Sequence, residues 1–192
     1  MTVYQRLFEA VTRDPRYQQI LDFGTPRPGH PEGTVRAHIV DLELNLNAFR
    51  SKLSNPEADF WRLRVIIHVH DTFKAEARRG ARIADPDSHA SIARAFLSSF
   101  CDDADLLATV QNHDVPFSLW RQFKATGEVP RERLAEVLAD IRDWDLFLAF
   151  LIIDGCVAGK GPGPLHWFFE CVRGQVQSRF TEADFLPLPA PG

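Results

Sequence analysis

The stretch VIIHVHDTFK, residues 65–74, carries polar side chains of types that bind metal ions at the end of an apolar run. His68 and His70 alternate with apolar residues, Asp71 follows directly, and Lys74 closes the stretch. Burying such groups at the end of an apolar helix face is costly unless a partner satisfies them. The stretch therefore indicates a binding site whose other members lie elsewhere in the chain.

Further histidines and one aspartate fall at the inward edges of other helical segments. Apolar residues recur at steps of three and four along most of the chain, which is typical of helices with one buried face. On that spacing the polar residues beside the buried faces are His38, His70, Asp71, His89, His113 and Asp154. Imidazoles and carboxylates brought together in this way favour metal binding.

The elements that must position these residues are predicted to be helices, and the fold is predicted to be all-α, a single helical bundle over residues 1–192. Helical periodicity covers residues 34–53, 60–70, 87–100, 102–114, 130–141 and 143–154, and a last helix is expected over 164–180 despite Gly174. A Pro/Gly-rich loop spans residues 24–33, and residues 183–192 are expected to form a flexible tail. No segment alternates with period two for long enough to predict a strand.

The order His38, His70-Asp71, Asp154 resembles the signature of the HD superfamily of metal-dependent phosphohydrolases, which are all-helical domains named for the adjacent His-Asp pair. HDTFK is similar to that family's HD-x-G-K variant, with Phe73 in the usual glycine place. Many members carry two more histidines between the doublet and the last aspartate. The resemblance spans roughly residues 33–158, which would form the metal-binding core.

The resemblance implies one or two divalent ions. His38, His70, Asp71 and Asp154 would hold the first ion, and Asp71 would bridge to a second ion held by His89 and His113. Such pairs lie about 3.5–4 Å apart and clamp a hydroxide and a phosphoryl oxygen together. The histidine-rich set suits Mn, Fe, Co, Ni or Zn better than Mg or Ca.

The resemblance also implies a small phosphate ester or nucleotide as substrate, with Asp71 and Lys74 as catalytic residues. Lys74 lies one helical turn beyond Asp71, where it could meet a phosphate. Arg78, Arg79 and Arg82 extend this cationic segment as candidate substrate-binding residues, and a solvated charge run is the equal alternative. Loops at residues 75–88 and 115–130 are expected to set specificity.

Two other functions stay open at this stage. Some HD-fold proteins use the same six ligands with two iron ions to activate oxygen, so the chain could be a mixed-valence di-iron oxygenase. A non-catalytic module that binds a nucleotide is the third reading, and the complete ligand set argues against it. The phosphohydrolase is the function that the sequence favours.

Several other motifs are expected to have no direct role in the chemistry. His68 points away from His70 on a helix and is expected to pack or to support a ligand from behind, as Asp114 could. His30 and His166 are expected to be incidental. The segment GCVAGKG, residues 155–161, fails as a phosphate-binding loop because its glycine spacing is wrong and no Ser or Thr follows Lys160.

The composition excludes some broad classes. The net charge of −4 and the pI of about 6.0 disfavour a broad nucleic-acid-binding surface. The three cysteines show no metal-binding or disulfide spacing, which is typical of free thiols in a reducing compartment. The longest apolar run, residues 146–153, is too short to span a bilayer, and no signal peptide is evident, so a cytoplasmic location is expected.

Overall fold

The computed structural model describes residues 1–187, and this part of the chain is helical with no β-strand. The helices are α1 Val3–Arg13, α2 Pro15–Ile20, α3 Val35–Phe49, α4 Ala58–Val69, α5 His89–Ser98, α6 Ala104–Asn112, α7 Val115–Thr126, α8 Arg131–Asp140, α9 Trp144–Gly155 and α10 Gly163–Val172. Short 3-10 turns lie at Arg50–Lys52, Thr72–Ala75 and Glu182–Asp184. The predicted all-α, single-domain fold is confirmed.

Side-chain caps fix where the helices that carry the site begin. Thr34 accepts a hydrogen bond from the backbone N–H of Ala37 at the start of α3, and Ser88 does the same for Ser91 at the start of α5. Asp143 accepts from Leu146 at the start of α9. Such caps satisfy N–H groups that have no partner within the helix, so each start is set locally.

Helix α9 forms the centre of the core. It is apolar on every side, and the side chains of Phe147, Phe150, Ile152 and Ile153 are fully buried. A helix without a polar face must be surrounded, and α3, α4, α6 and α10 pack against it. Asp154 follows this apolar run directly, so the bundle carries a carboxylate to the end of its most buried helix. Within residues 1–187, every helix is too short or too polar to cross a bilayer.

Two predicted boundaries were wrong. The last helix ends at Val172 and not near residue 180, because Gly174 takes a left-handed conformation with φ of 72°. Residues 115–126, expected to be a loop, form α7, which ends at Gly127 with φ of 76°. Residues 76–88 do form turns, as expected.

Part of the expected tail packs against the body of the protein. The ring of Phe185 lies 4.8 Å from the ring of His166 and 4.9 Å from that of Phe169. These contacts hold the segment that follows the last 3-10 turn against α10. Residues 188–192 of the expected tail lie outside the described residues.

Candidate metal centre

The six predicted ligands all lie at or near helix ends that meet at one point. His38 lies in the first turn of α3, and α4 ends at Val69, so His70 and Asp71 follow its last residue. His89 is the first residue of α5, His113 follows the last residue of α6, and Asp154 lies in the last turn of α9. Helix ends therefore bring these side chains together, and His38, His70, Asp71 and His113 are buried.

The carboxylate of Asp71 faces a different pair of histidines with each oxygen. Its Oδ2 lies 3.6 Å from Nε2 of His70 and 4.0 Å from Nε2 of His38. Its Oδ1 lies 3.3 Å from Nε2 of His113 and 3.6 Å from Nε2 of His89. A carboxylate divided in this way has the geometry of a bridge between two ions.

The two groups of ligand atoms have the spacing of metal sites. Nε2 of His38 lies 3.1 Å from Oδ1 of Asp154, and Nε2 of His89 lies 3.1 Å from Nε2 of His113. Atoms bonded to one ion at about 2.0–2.2 Å are themselves roughly 3–3.6 Å apart. Potential ligand atoms lie within 4.8 Å of one another in three groups: His38, His70 and Asp71; Asp71, His89 and His113; and, on the other side of His38, His30, Glu32 and His38.

Backbone carbonyl groups fix the tautomers of the two most buried ligands. Nδ1 of His70 lies 3.0 Å from the carbonyl oxygen of Ile67, and Nδ1 of His113 lies 2.8 Å from that of Val110. Each Nδ1 therefore donates its proton to the carbonyl, which leaves the Nε2 lone pair facing Asp71. Nε2 of His70 is buried without a hydrogen-bond partner among residues 1–187, and a cation would satisfy it.

Burial keeps His70 neutral, because it lowers the pKa of this imidazole to about 3. His38 differs. Burial also acts to lower the pKa of His38, but hydrogen bonds to Asp154 and Glu32 outweigh burial and raise the pKa to about 9. In the ion-free protein His38 is therefore protonated at neutral pH, and a bound cation would replace that proton.

Two lysines neutralise the carboxylates of the centre. Burial alone would raise the pKa of Asp71, but the charge of Lys74 holds that pKa well below the ordinary value. Lys74 forms an ion pair with Oδ2 of Asp71. Lys160 does the same for Asp154, with Nζ 2.6 Å from Oδ1, and likewise holds its pKa well below the ordinary value against the effect of burial.

Three residues near the centre were missed by sequence reasoning. Oε1 of Glu32 lies 3.1 Å from Nδ1 of His38 and 2.9 Å from Nδ1 of His30. The structure therefore brings His30 beside the site, although it was expected to be incidental. The sequence signal that could have identified Glu32 is its position in the loop before α3. For Lys160 it is the position six residues after Asp154.

Two of the predicted phosphate-binding arginines are engaged in ion pairs with aspartates of their own turn. Arg78 pairs with Asp85 and Asp87, and Arg82 also pairs with Asp85. Arg79 is exposed. These ion pairs organise the turn at residues 76–88, and the structure brings only Lys74 of the predicted cationic segment into the centre.

The other predicted residues take supporting positions. His68 forms a hydrogen bond with each ring nitrogen. Its Nδ1 lies 2.5 Å from the hydroxyl of Tyr17, and its Nε2 lies 2.9 Å from Oε1 of Glu43. Asp114 Oδ2 lies 3.5 Å from Nε2 of His89. Asp114 therefore faces a predicted ligand, whereas His68 belongs to a separate network.

Comparison with known proteins identifies no relative whose site could be compared with this one. No family model matches the chain, and neither does any curated protein or any solved structure. The resemblance to the HD superfamily stays a hypothesis that rests on residue order.

Proposed function

We propose that this protein is a metal-dependent phosphohydrolase of the HD type, with a dinuclear transition-metal centre. The observation that carries the proposal is the division of the Asp71 carboxylate between two histidine pairs. A bridging carboxylate with histidines on both sides is the ligand arrangement of two-metal hydrolytic sites. The buried and unpartnered Nε2 of His70 supports the same assignment.

When bound, a pair of divalent cations supplies an acidified water and neutralises charge on a phosphoryl oxygen. The chain supplies the remaining functions. His38, His70, Asp71, His89, His113 and Asp154 hold the cations. The ammonium groups of Lys74 and Lys160 lie beside the two carboxylates, where they stabilise the negative charge that develops on a phosphate during the reaction.

A screen of the purified protein tests the reaction class. Protein loaded with manganese, cobalt or nickel is offered phosphomonoesters, phosphodiesters, cyclic dinucleotides, nucleotides and short oligonucleotides, and release of phosphate or nucleotide is measured. We expect turnover of at least one class, which Asp71→Ala abolishes. Turnover that Asp71→Ala retains would contradict the proposal.

A di-iron oxygenase is the second candidate, because four histidines and two carboxylates suit iron as well as manganese or cobalt. Reduced, iron-loaded protein that consumes oxygen with an organic substrate, and that turns over no phosphate compound, would replace the hydrolase by the oxygenase. An electron paramagnetic resonance signal from a mixed-valence iron pair would identify that state.

We also propose a cytoplasmic location. Cys101, Cys156 and Cys171 are all free thiols in the structure, and none lies in a metal-binding group. Free thiols persist in reducing compartments.

A further inference from the structure

The turn that follows Asp71 carries Lys74, and its backbone is short and irregular. It is a single 3-10 turn, Thr72–Ala75, in which Phe73 departs from helical geometry with φ of −93° and ψ of 21°. The N–H of Lys74 donates to the carbonyl of Asp71 over 3.3 Å, and that of Glu76 donates to Phe73 over 3.1 Å. Short 3-10 runs have poor hydrogen-bond geometry. Side-chain contacts must therefore help to fix where Lys74 lies.

Arg16, in the first turn of α2, contacts this turn in two ways. Its guanidinium carbon lies 4.8 Å from the centroid of the Phe73 ring. Its Nε lies 3.0 Å from Oε1 of Glu76, and a terminal nitrogen bonds the other oxygen of the same carboxylate. A planar guanidinium is suited both to lie over a ring and to form such a two-pronged pair. One side chain thus holds the residue before Lys74 and the second residue after it.

Phe73 anchors the same turn to the body of the protein. Its side chain is fully buried, and its ring lies 4.7 Å from that of Phe96 on α5, the helix that begins with His89. Phe73 also stands where the HD-type pattern has glycine, and a glycine there would give Arg16 no ring to contact. The contact between Arg16 and Phe73 is therefore particular to this chain.

Arg16 contributes to local order more than to overall stability. The side chain of Arg16 is 48% exposed and that of Glu76 is 33% exposed. An ion pair at this degree of exposure contributes little to the stability of a whole domain. Its effect should therefore be concentrated on the turn that it holds.

We infer that Arg16 is a positioning residue for Lys74. By holding Phe73 and Glu76 it fixes the turn so that the ammonium group of Lys74 stays beside Asp71. The inference rests on the proposed function, which gives Lys74 the task of stabilising a phosphate. It also brings α2 into the site, although α2 lies outside residues 33–158, the range that resembles the HD superfamily.

Hydrogen exchange followed by mass spectrometry tests the positioning without any substrate. In Arg16→Gln, exchange should become severalfold faster in peptides that cover residues 72–76, with little change in Tm. Arg13→Gln is the matched control, because Arg13 forms a comparable ion pair with Glu9 within α1. The control should leave exchange in the turn unchanged. Wild-type exchange of the turn in Arg16→Gln would overturn the inference, and so would a general rise in exchange across the chain.

A double-mutant cycle tests whether Arg16 acts through Lys74. With a phosphate substrate, Arg16→Gln should lower kcat by about fivefold to a hundredfold, with KM and metal content unchanged, because the ammonium group is misplaced. Arg16→Lys should recover only part of the loss, since an ammonium does not form the two-pronged pair. In the Lys74→Ala background, Arg16→Gln should cause no further loss. An equal loss in both backgrounds would overturn the inference.

The failure of this inference is distinguishable from that of the proposed function. Faster exchange confined to the turn in Arg16→Gln, with no phosphate released from any compound by the wild type, would leave the positioning contact assigned and remove the hydrolase. Wild-type kcat in Arg16→Gln, in a protein whose Lys74→Ala variant is impaired, would retain the hydrolase and remove the inference.

Discussion

At the scale of single residues, Lys74 is the lysine that pairs with the carboxylate of Asp71. It pairs with Asp71, and although burial acts to lower its pKa, the charges of Asp71 and Asp114 raise the pKa above its ordinary value. The lysine is therefore charged throughout the neutral range. A partly buried ammonium beside Asp71 would be well placed to stabilise a phosphoryl transition state formed there.

Lys74→Ala should leave the metal content unchanged and lower kcat/KM for a phosphate substrate by about tenfold to a thousandfold, since one charge-stabilising donor is lost. Lys74→Arg should recover only part of this, because a guanidinium fork does not mimic a compact ammonium. Steady-state kinetics on protein of known metal content is the measurement. Lys124→Ala, an exposed lysine on α7, is the control. Full activity of Lys74→Ala would remove this lysine from the reaction.

Glu32 is predicted to act through His38. Its Oε1 lies 3.1 Å from Nδ1 of His38, on the side of the ring opposite the Nε2 atom that faces Asp71 and Asp154. Loss of such a partner typically costs tenfold to a hundredfold in metal affinity. Glu32→Ala should show that loss in competition with a fluorescent chelator, and the exposed Glu57→Ala should not. Equal affinity in both variants would mean that Glu32 has no positioning role.

How far the sequence predicts the site depends on the kind of residue. His70, Asp71, His89 and Asp154 were placed at helix ends by apolar periodicity, and the structure has them there. Glu32 could not be placed, since it belongs to a loop whose path depends on Gly33, where φ is 84° and a Cβ would lie 2.8 Å from Pro26. Loop paths of this kind depend on tertiary contacts that periodicity does not record.

At the scale of elements, Glu43 ties α3 to α4 and so sets the distance between the helices that carry His38 and His70. Its Oε1 lies 2.7 Å from Nε of Arg64 and 2.9 Å from Nε2 of His68. Burial acts to raise the pKa of Glu43, but these hydrogen bonds outweigh burial and lower the pKa below its ordinary value of 4.5. Glu43 therefore stabilises the fold in its ionised form.

Glu43→Gln should destabilise the protein by about 1–3 kcal/mol at pH 7, because Arg64 and His68 lose a charged partner. The wild-type carboxylate contributes this stability above the unfolded-state pKa of about 4.5, and the contribution is lost as pH falls through the lower folded-state pKa. Urea unfolding at pH 7, 5 and 4 should therefore show a difference that shrinks below pH 4.5. A difference that grew on acidification would contradict the sign of the pKa shift.

Most helices were predictable from the sequence, and the two wrong predictions, for α7 and α10, have local causes. The helices α3, α5, α6, α8 and α9 follow from apolar spacing. Helix α7 was missed because residues 115–130 were assigned to a cavity-lining loop, although the apolar residues Val115 and Leu119 are buried one helical turn apart. Helix α10 was predicted too long because the apolar periodicity continues past Gly174, whereas the left-handed conformation of Gly174 ends the helix.

At the scale of the whole molecule, the candidate centre joins elements from distant parts of the chain. Its ligands come from α3, α5 and α9 and from the residues that follow α4 and α6. An ion bound there would stabilise the folded state alone, because the unfolded chain does not hold these residues together.

Manganese or cobalt at a hundred times its dissociation constant should therefore stabilise the protein by about 2.7 kcal/mol. For a chain of this size that corresponds to a rise of roughly 5–10 °C in Tm. Thermal unfolding followed by circular dichroism, with and without metal after chelator treatment, is the measurement. The rise should be absent in Asp71→Ala, and an equal rise in that variant would place the stabilising ion elsewhere.

The central claim is that Asp71 bridges two transition-metal ions, and metal stoichiometry tests it most directly. Inductively coupled plasma mass spectrometry is applied to wild type, Asp71→Ala and the exposed-residue control Asp102→Ala, all purified without a metal-chelating column. We predict close to two ions per chain in the wild type and in Asp102→Ala, and far fewer than one in Asp71→Ala, since both ions lose a ligand. An Asp71→Ala protein as fully loaded as the wild type would contradict the assignment.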